Sequence, residues 1–245
     1  MRWLKPAQQK GMRMRRKPKH ILIIPDGNRR WAKLHGKPLI QGHSAGIDKI
    51  GDVLKWCSEK KIRMLTMWGF STENFERPKS EVEELMRLFE RKLRDVLSRK
   101  DARGKNVRVR IYGDLDRLPG KVREYLQKAE EATAKHNKYK LNILLSYGGR
   151  PELVAACNAA IKKAMQGRVR KVTEKNFKKF LWTSDLPDPD IIIRTSGEQR
   201  LSGVLPWQSA YSELYFSRKL WPDFEKEDFE QILEDYAARE RRFGR

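Results

Sequence analysis

Residues 20–31 read HILIIPDGNRRW, and this short stretch decides the fold. The run from His20 to Ile24 is almost wholly apolar, which is typical of a strand buried on both faces of a parallel sheet. Polar and basic side chains begin two residues later, at Asp26. The stretch therefore predicts a buried strand that delivers a polar loop to one edge of a sheet, where ligands bind in open parallel sheets.

Similar apolar runs recur along the chain, and longer amphipathic segments separate them. This alternation predicts an α/β fold, a single domain with a central, mostly parallel sheet of about six strands flanked by helices. One helix is expected from Ser80 to Leu97, with Ser80 as N-cap and Glu83 completing a capping box. The other predicted strands are 64–70, 107–112, 141–146, 191–194 and 213–216, and the other predicted helices are 121–136, 152–165, 176–182 and 227–242.

The charge of the chain favours anionic partners. Its 54 Lys and Arg residues outnumber 32 Asp and Glu, for a formal net charge of +22. Such a field attracts nucleic acid, an anionic membrane face or phosphorylated small molecules, and the charge alone does not choose among them. Residues 1–19 hold eight basic residues and no acidic one, and we interpret them as a flexible basic arm ahead of one domain at residues 20–245.

The remaining composition indicates a cytoplasmic protein. The 245 residues contain no signal-peptide pattern and no apolar run near the roughly 20 residues that span a bilayer. Cys57 and Cys157 both lie in helical patterns, and we expect them to be reduced, buried thiols. The sequence has no Cys/His cluster with zinc spacing.

Three loops that follow predicted strands carry the candidate chemistry. They read PDGNRRW at 25–31, STENFERP at 71–78 and TSGEQR at 195–200. A loop with glycine, an amide side chain and two arginines can surround a diphosphate with backbone N–H groups and guanidinium forks. The alternative is an ordinary turn with solvated arginines.

Further residues at the predicted strand ends suit two bound anions. Arg77, Arg194 and Arg200 lie there with the hydroxyls of Ser71, Ser196 and Ser202. Asp26 and Glu213 are the carboxylates that we select as Mg²⁺ ligands, since this ion takes few protein ligands and shares phosphate oxygens; simple solvation is the alternative. His43 either reaches the anion pocket or caps a helix, and the apolar face of the helix after Ser80 is either core or the wall of a hydrocarbon slot.

Several longer motifs resemble the signature segments of the cis-prenyltransferases. The resemblance runs from about His20 to the C-terminus, and several motifs in one order are far more specific than a single loop. The segments are DGNxRWA at 26–32, GHxxG at 42–46, FSxENFxRP at 70–78, YGGR at 147–150, DxxxRTxGExRxS at 190–202, WQxxYxExxF at 207–216 and WPxF at 221–224.

This resemblance implies a magnesium-dependent homodimeric enzyme that joins isopentenyl diphosphate to an allylic diphosphate. Asp26 and Asn74 are then expected to be catalytic, and Asp26 and Glu213 to bind Mg²⁺. The allylic diphosphate would contact Gly27, Asn28, Arg29, Arg30, Trp31, His43, Ser71 and Arg77, and isopentenyl diphosphate would contact Arg194, Arg200, Ser202 and Arg242, the last across a dimer interface.

The growing chain is expected, by the same resemblance, in an apolar tunnel lined by Ile47, Val53, Gly69, Leu85, Leu88, Phe89 and Ile143. Farnesyl or geranylgeranyl diphosphate is the expected starter, and the product is expected to be a glycosyl carrier lipid precursor. Leu39 and Gln199 replace an arginine and a histidine of other members, and Gly203 and Pro206 also differ, which leaves starter and product length open.

Two other functions compete with this one. A catalytically silent family member would act as a regulatory subunit, although this chain keeps Asp26, Asn28 and Arg200. A nucleic-acid-binding protein would exploit the positive charge, but no binding module is recognisable, so no specific nucleic acid is expected. For the basic arm, a solubilising tail and a contact with anionic membrane remain alternatives.

Overall fold

The computed structural model describes residues 17–98 and 106–239. Most of the predicted basic arm (residues 1–16) and Arg242 lie outside these ranges. No helix within them is both long and apolar enough to cross a membrane.

A six-stranded sheet with the order β3-β4-β2-β1-β5-β6 forms the centre of the protein, and all of its pairings are parallel. The predicted sheet is confirmed, and four of its strands have the predicted bounds. β1 and β5, which pair with each other, are buried at every residue, in keeping with their almost wholly apolar sequences. The strands are β1 (His20–Ile24), β2 (Met64–Ser71), β3 (Val107–Tyr112), β4 (Tyr139–Tyr147), β5 (Ile191–Arg194) and β6 (Glu213–Phe216).

Helices flank both faces of the sheet. On one face, Trp56 of α2 and Phe229 of α7 join the core that contains Ile21 and Ile23. On the other, Glu152 of α5 accepts a hydrogen bond from Tyr147 of β4. The helices are α1 (Asn28–Leu34), α2 (Leu39–Glu59), α3 (Lys79–Ser98), α4 (Gly120–Thr133), α5 (Gly149–Met165), α6 (Glu174–Phe177) and α7 (Lys226–Ala238).

Two predictions about helix caps need correction. α3 begins at Lys79, and the carbonyl of Pro78 accepts from the N–H groups of Glu81 and Val82. Ser80 is therefore inside the first turn and not the N-cap, because the carbonyl of the N-cap residue accepts the first intrahelical hydrogen bonds, and here that residue is Pro78. His43 does not cap α2, since that helix begins four residues earlier at Leu39.

The two cysteines differ in exposure, contrary to the prediction that both are buried. Cys57 lies on the buried face of α2, whereas Cys157 is exposed. On α5 the small side chains of Ala156 and Ala160 face inward, and the next position along, Cys157, turns outward.

Side chains of α4 cover the free edge of the sheet at β3. Thr133 Oγ1 accepts from the N–H of Val109 at 3.0 Å, and Glu130 Oε1 accepts from the N–H of Ile111 at 3.0 Å. These bonds satisfy donors that an edge strand would otherwise present to other chains. They also fix α4 beside β3, and both elements line the cavity described below.

Candidate active site

The carboxyl ends of β1 and β5, which are neighbours in the sheet, bring Asp26 to Arg194. Arg194 Nη2 donates to Asp26 Oδ2 at 2.8 Å, and Arg194 Nη1 donates to Ser202 Oγ at 2.8 Å and to the carbonyl of Arg200 at 2.6 Å. The Arg194 side chain is only 6% exposed and that of Asp26 is 30% exposed. A buried guanidinium thus holds a carboxylate that still faces solvent.

The backbone of Asp26 is fixed by two residues that were not among the predicted site residues. Its carbonyl accepts from Thr195 Oγ1 at 2.7 Å and from the N–H of Trp221 at 3.0 Å. Both contacts join segments far apart in sequence, so spacing could not reveal them, although each residue stands inside a recognised motif.

Arg30 approaches the same carboxylate from the first turn of α1. Its Nη2 donates to Ser196 Oγ at 2.6 Å and lies 3.7 Å from Asp26 Oδ1. Glu198, which was not predicted as a site residue, lies 3.5 Å from Arg30 and also pairs with Arg200. The two predicted arginines therefore share one acidic neighbour.

A second pair of arginines converges on Glu81, in the first turn of α3. Arg29 Nη2 lies 3.4 Å from one Glu81 oxygen and Arg77 Nη1 lies 3.2 Å from the other. Glu81 also escaped prediction, because on the sequence it looks like any other first-turn helix acid.

His43 lies beside these arginines as a neutral imidazole. Burial, followed by the charges of Arg77 and Arg29, lowers its pKa to about 4. Within the described ranges its buried Nε2 has no hydrogen-bond partner, and His43 lines the cavity with Arg29 and Arg77. The ring can therefore donate one N–H to a bound anion without first being protonated.

A tight turn after β2 places Ser71 and Asn74. The N–H of Ser71 donates to Asn74 Oδ1 at 3.1 Å, within a capping box at the start of the 3₁₀ turn Thr72–Glu76. Phe75 packs edge-on against Phe70 at 4.9 Å, and the Arg117 guanidinium stacks over its ring at 4.4 Å. The turn is thereby pinned to the core, and both predicted residues line the cavity.

Gly42 and Gly46 allow α2 to approach the first loop. A Cβ at Gly42 would overlap the carbonyl of Asn28, and one at Gly46 would overlap Asn28 Oδ1. The side chain of Asn28 also donates to the carbonyl of Pro25 at 3.2 Å. The GHxxG motif is therefore a packing motif that positions Asn28.

A large apolar cavity of about 1210 Å³ opens from this cluster. It passes between the sheet and α2, α3 and α4, and it reaches Val107 and Leu141 near the opposite ends of β3 and β4. Of the predicted tunnel residues, five line it: Ile47, Gly69, Leu85, Phe89 and Ile143. Val53 and Leu88 are buried outside it, and Val53 turns inward with Trp56 and Cys57 to the core beneath α2.

Three other predicted residues lie elsewhere. Trp31 donates from Nε1 to Asp223 at 2.6 Å and stacks on His35, outside the cavity lining. Arg200 is 60% exposed. Glu213 begins β6, in register with Ile191 and hence with Ile21, so about five residues, or roughly 15 Å along the strands, separate it from Asp26. Within one chain Glu213 instead pairs with Arg239 at 2.9 Å.

The side chains around Asp26 can hold a metal ion only if a substrate contributes further ligands. Among the described residues no three His, Cys, Asp or Glu side chains are grouped to hold an ion. Asp26 offers one solvent-facing carboxylate with arginines beside it. Mg²⁺ is commonly bound by one or two carboxylates plus substrate phosphates, and the site fits that mode and not an all-protein cage.

Comparison with known proteins gives a consistent result. Residues 24–244 match the family profile described as putative undecaprenyl diphosphate synthase. A tritrans,polycis-undecaprenyl-diphosphate synthase (geranylgeranyl-diphosphate specific) of Pyrococcus abyssi is 48% identical over 230 residues, covering 93% of this chain and 87% of that protein. An isoprenyl transferase of Thermotoga maritima is 48% identical over 227 residues, covering 93% and 97%.

Two solved structures share the fold. Lavandulyl diphosphate synthase from Lavandula x intermedia, in complex with dimethylallyl diphosphate, superposes with a TM-score of 0.86 and 34% identity, covering 94% of this chain and 99% of that one. A probable undecaprenyl diphosphate synthase from Campylobacter jejuni gives 0.77 and 34%, covering 94% and 100%.

Proposed function

Since the chain belongs to the undecaprenyl diphosphate synthase family and is a cis-prenyltransferase, we propose that it extends geranylgeranyl or farnesyl diphosphate with isopentenyl diphosphate. The product is a Z-polyprenyl diphosphate, a precursor of a glycosyl carrier lipid. Its relatives at 48% identity carry the names of synthases and transferases, which favours an enzyme over a regulatory subunit.

One observation carries this proposal, namely that the arginine cluster around Asp26 opens directly into the apolar cavity. Its volume of about 1210 Å³ exceeds the roughly 300–1,000 Å³ of pockets for drug-sized ligands. The site thus combines donors for diphosphates with space for a long hydrocarbon.

In the reaction, C4 of isopentenyl diphosphate forms a bond to C1 of the allylic substrate as the C1–O bond to diphosphate breaks. The double bond of the attacking unit shifts, and loss of a proton completes the cycle. Arg29, Arg30 and Arg77 would hold the departing diphosphate, with Gly27, Asn28, His43 and Ser71 as further contacts. Such preorganised donors stabilise charge that develops in the transition state, and Asn74 would orient the reacting centre.

Asp26 would hold Mg²⁺ at the edge of the allylic diphosphate. The ion would supply charge neutralisation for the leaving group. Within the chain, the Asp26 carboxylate pairs with Arg194 at 2.8 Å. When isopentenyl diphosphate binds, Arg194, Arg200 and Ser202 would turn their donors to its phosphates, which frees Asp26 for the ion.

The proposed choice of allylic starter rests on the names of the relatives more than on the shape of the cavity. The Pyrococcus enzyme is named as specific for geranylgeranyl diphosphate, and we propose the same preference here. Dimethylallyl, geranyl, farnesyl and geranylgeranyl diphosphate would each be incubated with labelled isopentenyl diphosphate and Mg²⁺, and the products resolved by length.

The Asp26→Asn variant is assayed beside the unmodified chain, because this substitution removes the negative charge of the side chain and keeps its size. We expect at least a 100-fold loss of kcat, with every starter. Equal turnover by both proteins would refute the role of Asp26, and no incorporation by the unmodified chain would refute the proposed substrates.

A homodimer would complete the site. β6 is an edge strand, and Leu214 and Phe216 on its outer face are partly exposed. A second chain packed against this edge could bring its own Glu213 to the Asp26 of the first. Arg242, which lies outside the described residues, would join the isopentenyl diphosphate site in the same way.

Complementation tests the shared site. Asp26→Ala and Glu213→Ala chains are each expected to be inactive, and their co-expression should restore about a quarter of the activity, because half of the dimers then hold one intact site. If both residues act within one chain, no mixture recovers activity. A monomer in analytical ultracentrifugation would also overturn the proposal.

A further inference from the structure

The end of α5 and the segment that follows it form an exposed surface that is both basic and apolar. This surface comprises residues 161–172, and we call it the 161–172 surface. It contains five Lys or Arg residues and no acidic residue. Three of its apolar side chains are exposed, with Met165 84% and Ile161 58% accessible. Such interleaving of cations and exposed apolar groups is typical of proteins that bind anionic lipid surfaces.

The cations of this surface are not neutralised by neighbours. No salt bridge joins Lys162, Lys163, Arg168, Arg170 or Lys171 to an acid within residues 17–98 and 106–239. By contrast, Arg29 and Arg77 of the candidate active site both pair with Glu81. The potential of this surface therefore extends into solvent.

The topology adds a second observation. α5 leaves the carboxyl end of β4 and returns toward the start of β5, so its last turn lies at the edge opposite to Asp26. The loops ahead of β1, β2 and β4, together with the first residues of β4 itself, expose further cations at this edge: Lys17, Lys19, Lys61, Arg63, Lys135, Lys138 and Lys140. The apolar cavity runs toward the same edge, where Val107 and Leu141 line it.

We propose that this edge, with the 161–172 surface as its main contact, docks on an anionic lipid bilayer. The protein would then keep its diphosphate site in water while the far end of the hydrocarbon cavity points toward the membrane. That orientation rests on the proposed function, whereas the binding itself does not. A second copy of the chain is a poorer partner, because two such surfaces of like charge repel each other.

The test measures binding of the full chain to phosphatidylcholine vesicles with and without phosphatidylglycerol, in the absence of substrate. We expect binding only to the anionic vesicles, and weaker binding in 1 M salt, where the Debye length falls from about 8 to about 3 Å. Because no turnover is needed, an inactive enzyme would leave this result intact.

Three variants locate the contact. Arg168→Gln/Arg170→Gln/Lys171→Gln should weaken binding roughly 100-fold, and Ile161→Ser/Met165→Ser should weaken it as well. The matched control Lys121→Gln/Arg123→Gln/Lys128→Gln removes the same charge from exposed positions on α4 and should retain most of the affinity. Circular dichroism and turnover of a water-soluble starter verify that each variant is folded.

Equal binding by the 161–172 variants and the α4 control would overturn the proposal. So would binding that is lost only when residues 1–17 are deleted, since the basic arm would then be the docking element. Equally tight binding of single-stranded RNA, unaffected by Ile161→Ser/Met165→Ser, would indicate a general polyanion surface, and a monomeric 161–172 variant would indicate a protein contact.

Discussion

At the scale of single residues, the site is a set of arginines that are neutralised by carboxylates of the same chain. Asp26 forms a salt bridge with Arg194. Glu81 forms salt bridges with Arg29 and Arg77, and Glu198 with Arg30 and Arg200. These pairs hold cations in place before any diphosphate arrives. Preorganisation of this kind lowers the reorganisation that binding and catalysis require.

Gly46 tests how sharply Asn28 is positioned. Gly46→Ala should lower kcat/KM for the allylic substrate about 10- to 100-fold, because the added methyl displaces the Asn28 side chain. Steady-state kinetics would measure this, with Gly120→Ala as control, since nothing lies within 4 Å of a Cβ at Gly120. Similar kinetics for both variants would contradict the packing role of Gly46.

His20 makes the stability of the fold depend on pH. Its Nδ1 donates to the carbonyl of Pro187 at 2.9 Å, so its Nε2 accepts from Thr66 Oγ1 at 2.7 Å, and Asn142 donates to Thr66 at 3.1 Å. Both ring nitrogens of the neutral imidazole are thereby used. Burial lowers the pKa of His20 to about 4.

Since unfolding releases His20 to its ordinary pKa near 6.5, the unfolded chain binds more protons between pH 6.5 and 4. The free energy of unfolding should therefore decrease as the pH is lowered through this window. At pH 4.5 the loss from His20 alone, relative to neutral pH, should be about 2–3 kcal/mol. Urea denaturation at a series of pH values would measure it. His20→Gln should flatten the slope and the exposed His35→Gln should not; parallel slopes in all three proteins would exclude His20 as the cause.

At the scale of elements, β2 shapes the cavity through an irregularity. Its pairing with β4 shifts register between Trp68 and Phe70, and Gly69 between them faces the cavity. A Cβ there would lie 2.9 Å from Leu145 Cδ2 and 3.4 Å from Ile143 Cγ2. The cavity is thus kept wide by a missing side chain.

Gly69→Val should therefore shorten the products, because its methyl groups project into the path of the growing chain. Product chromatography after incubation with geranylgeranyl diphosphate would show a shift to fewer added units with the first condensation retained. Gly120→Val, outside the cavity, is the control. An unchanged product distribution would mean that the chain does not pass Gly69.

At the scale of the whole molecule, the two cysteines report folding. Burial raises the pKa of Cys57 to about 12, and Cys157 is exposed. A thiolate-specific reagent should label one thiol per native chain and two after unfolding, because only the thiolate reacts. Native Cys157→Ser should give no label. Rapid labelling of both thiols in the native protein would show that the core beneath α2 opens.

The sequence by itself determined the sheet and the neighbourhood of the site. The apolar runs at 20–24 and 191–194 have the bounds of β1 and β5, since strands buried on both faces leave a nearly continuous apolar signature. The predicted bounds of β3 (107–112) and β6 (213–216) also match, although these two edge strands are only partly buried. The polar residues that follow the strands had to meet at one edge, because the carboxyl ends of parallel strands share it.

Only the tertiary structure decided which partners these residues take. Glu81 contacts Arg29, Glu198 contacts Arg30 and Thr195 contacts Asp26 across long stretches of sequence, so no spacing encodes these pairings. Glu213 lies at the opposite edge from Asp26. Val53 and Leu88 share the apolar periodicity of the cavity residues but turn to other flanks of their helices. A periodic pattern reports that a face is buried, and the packing of neighbouring elements decides whether that face meets core or cavity.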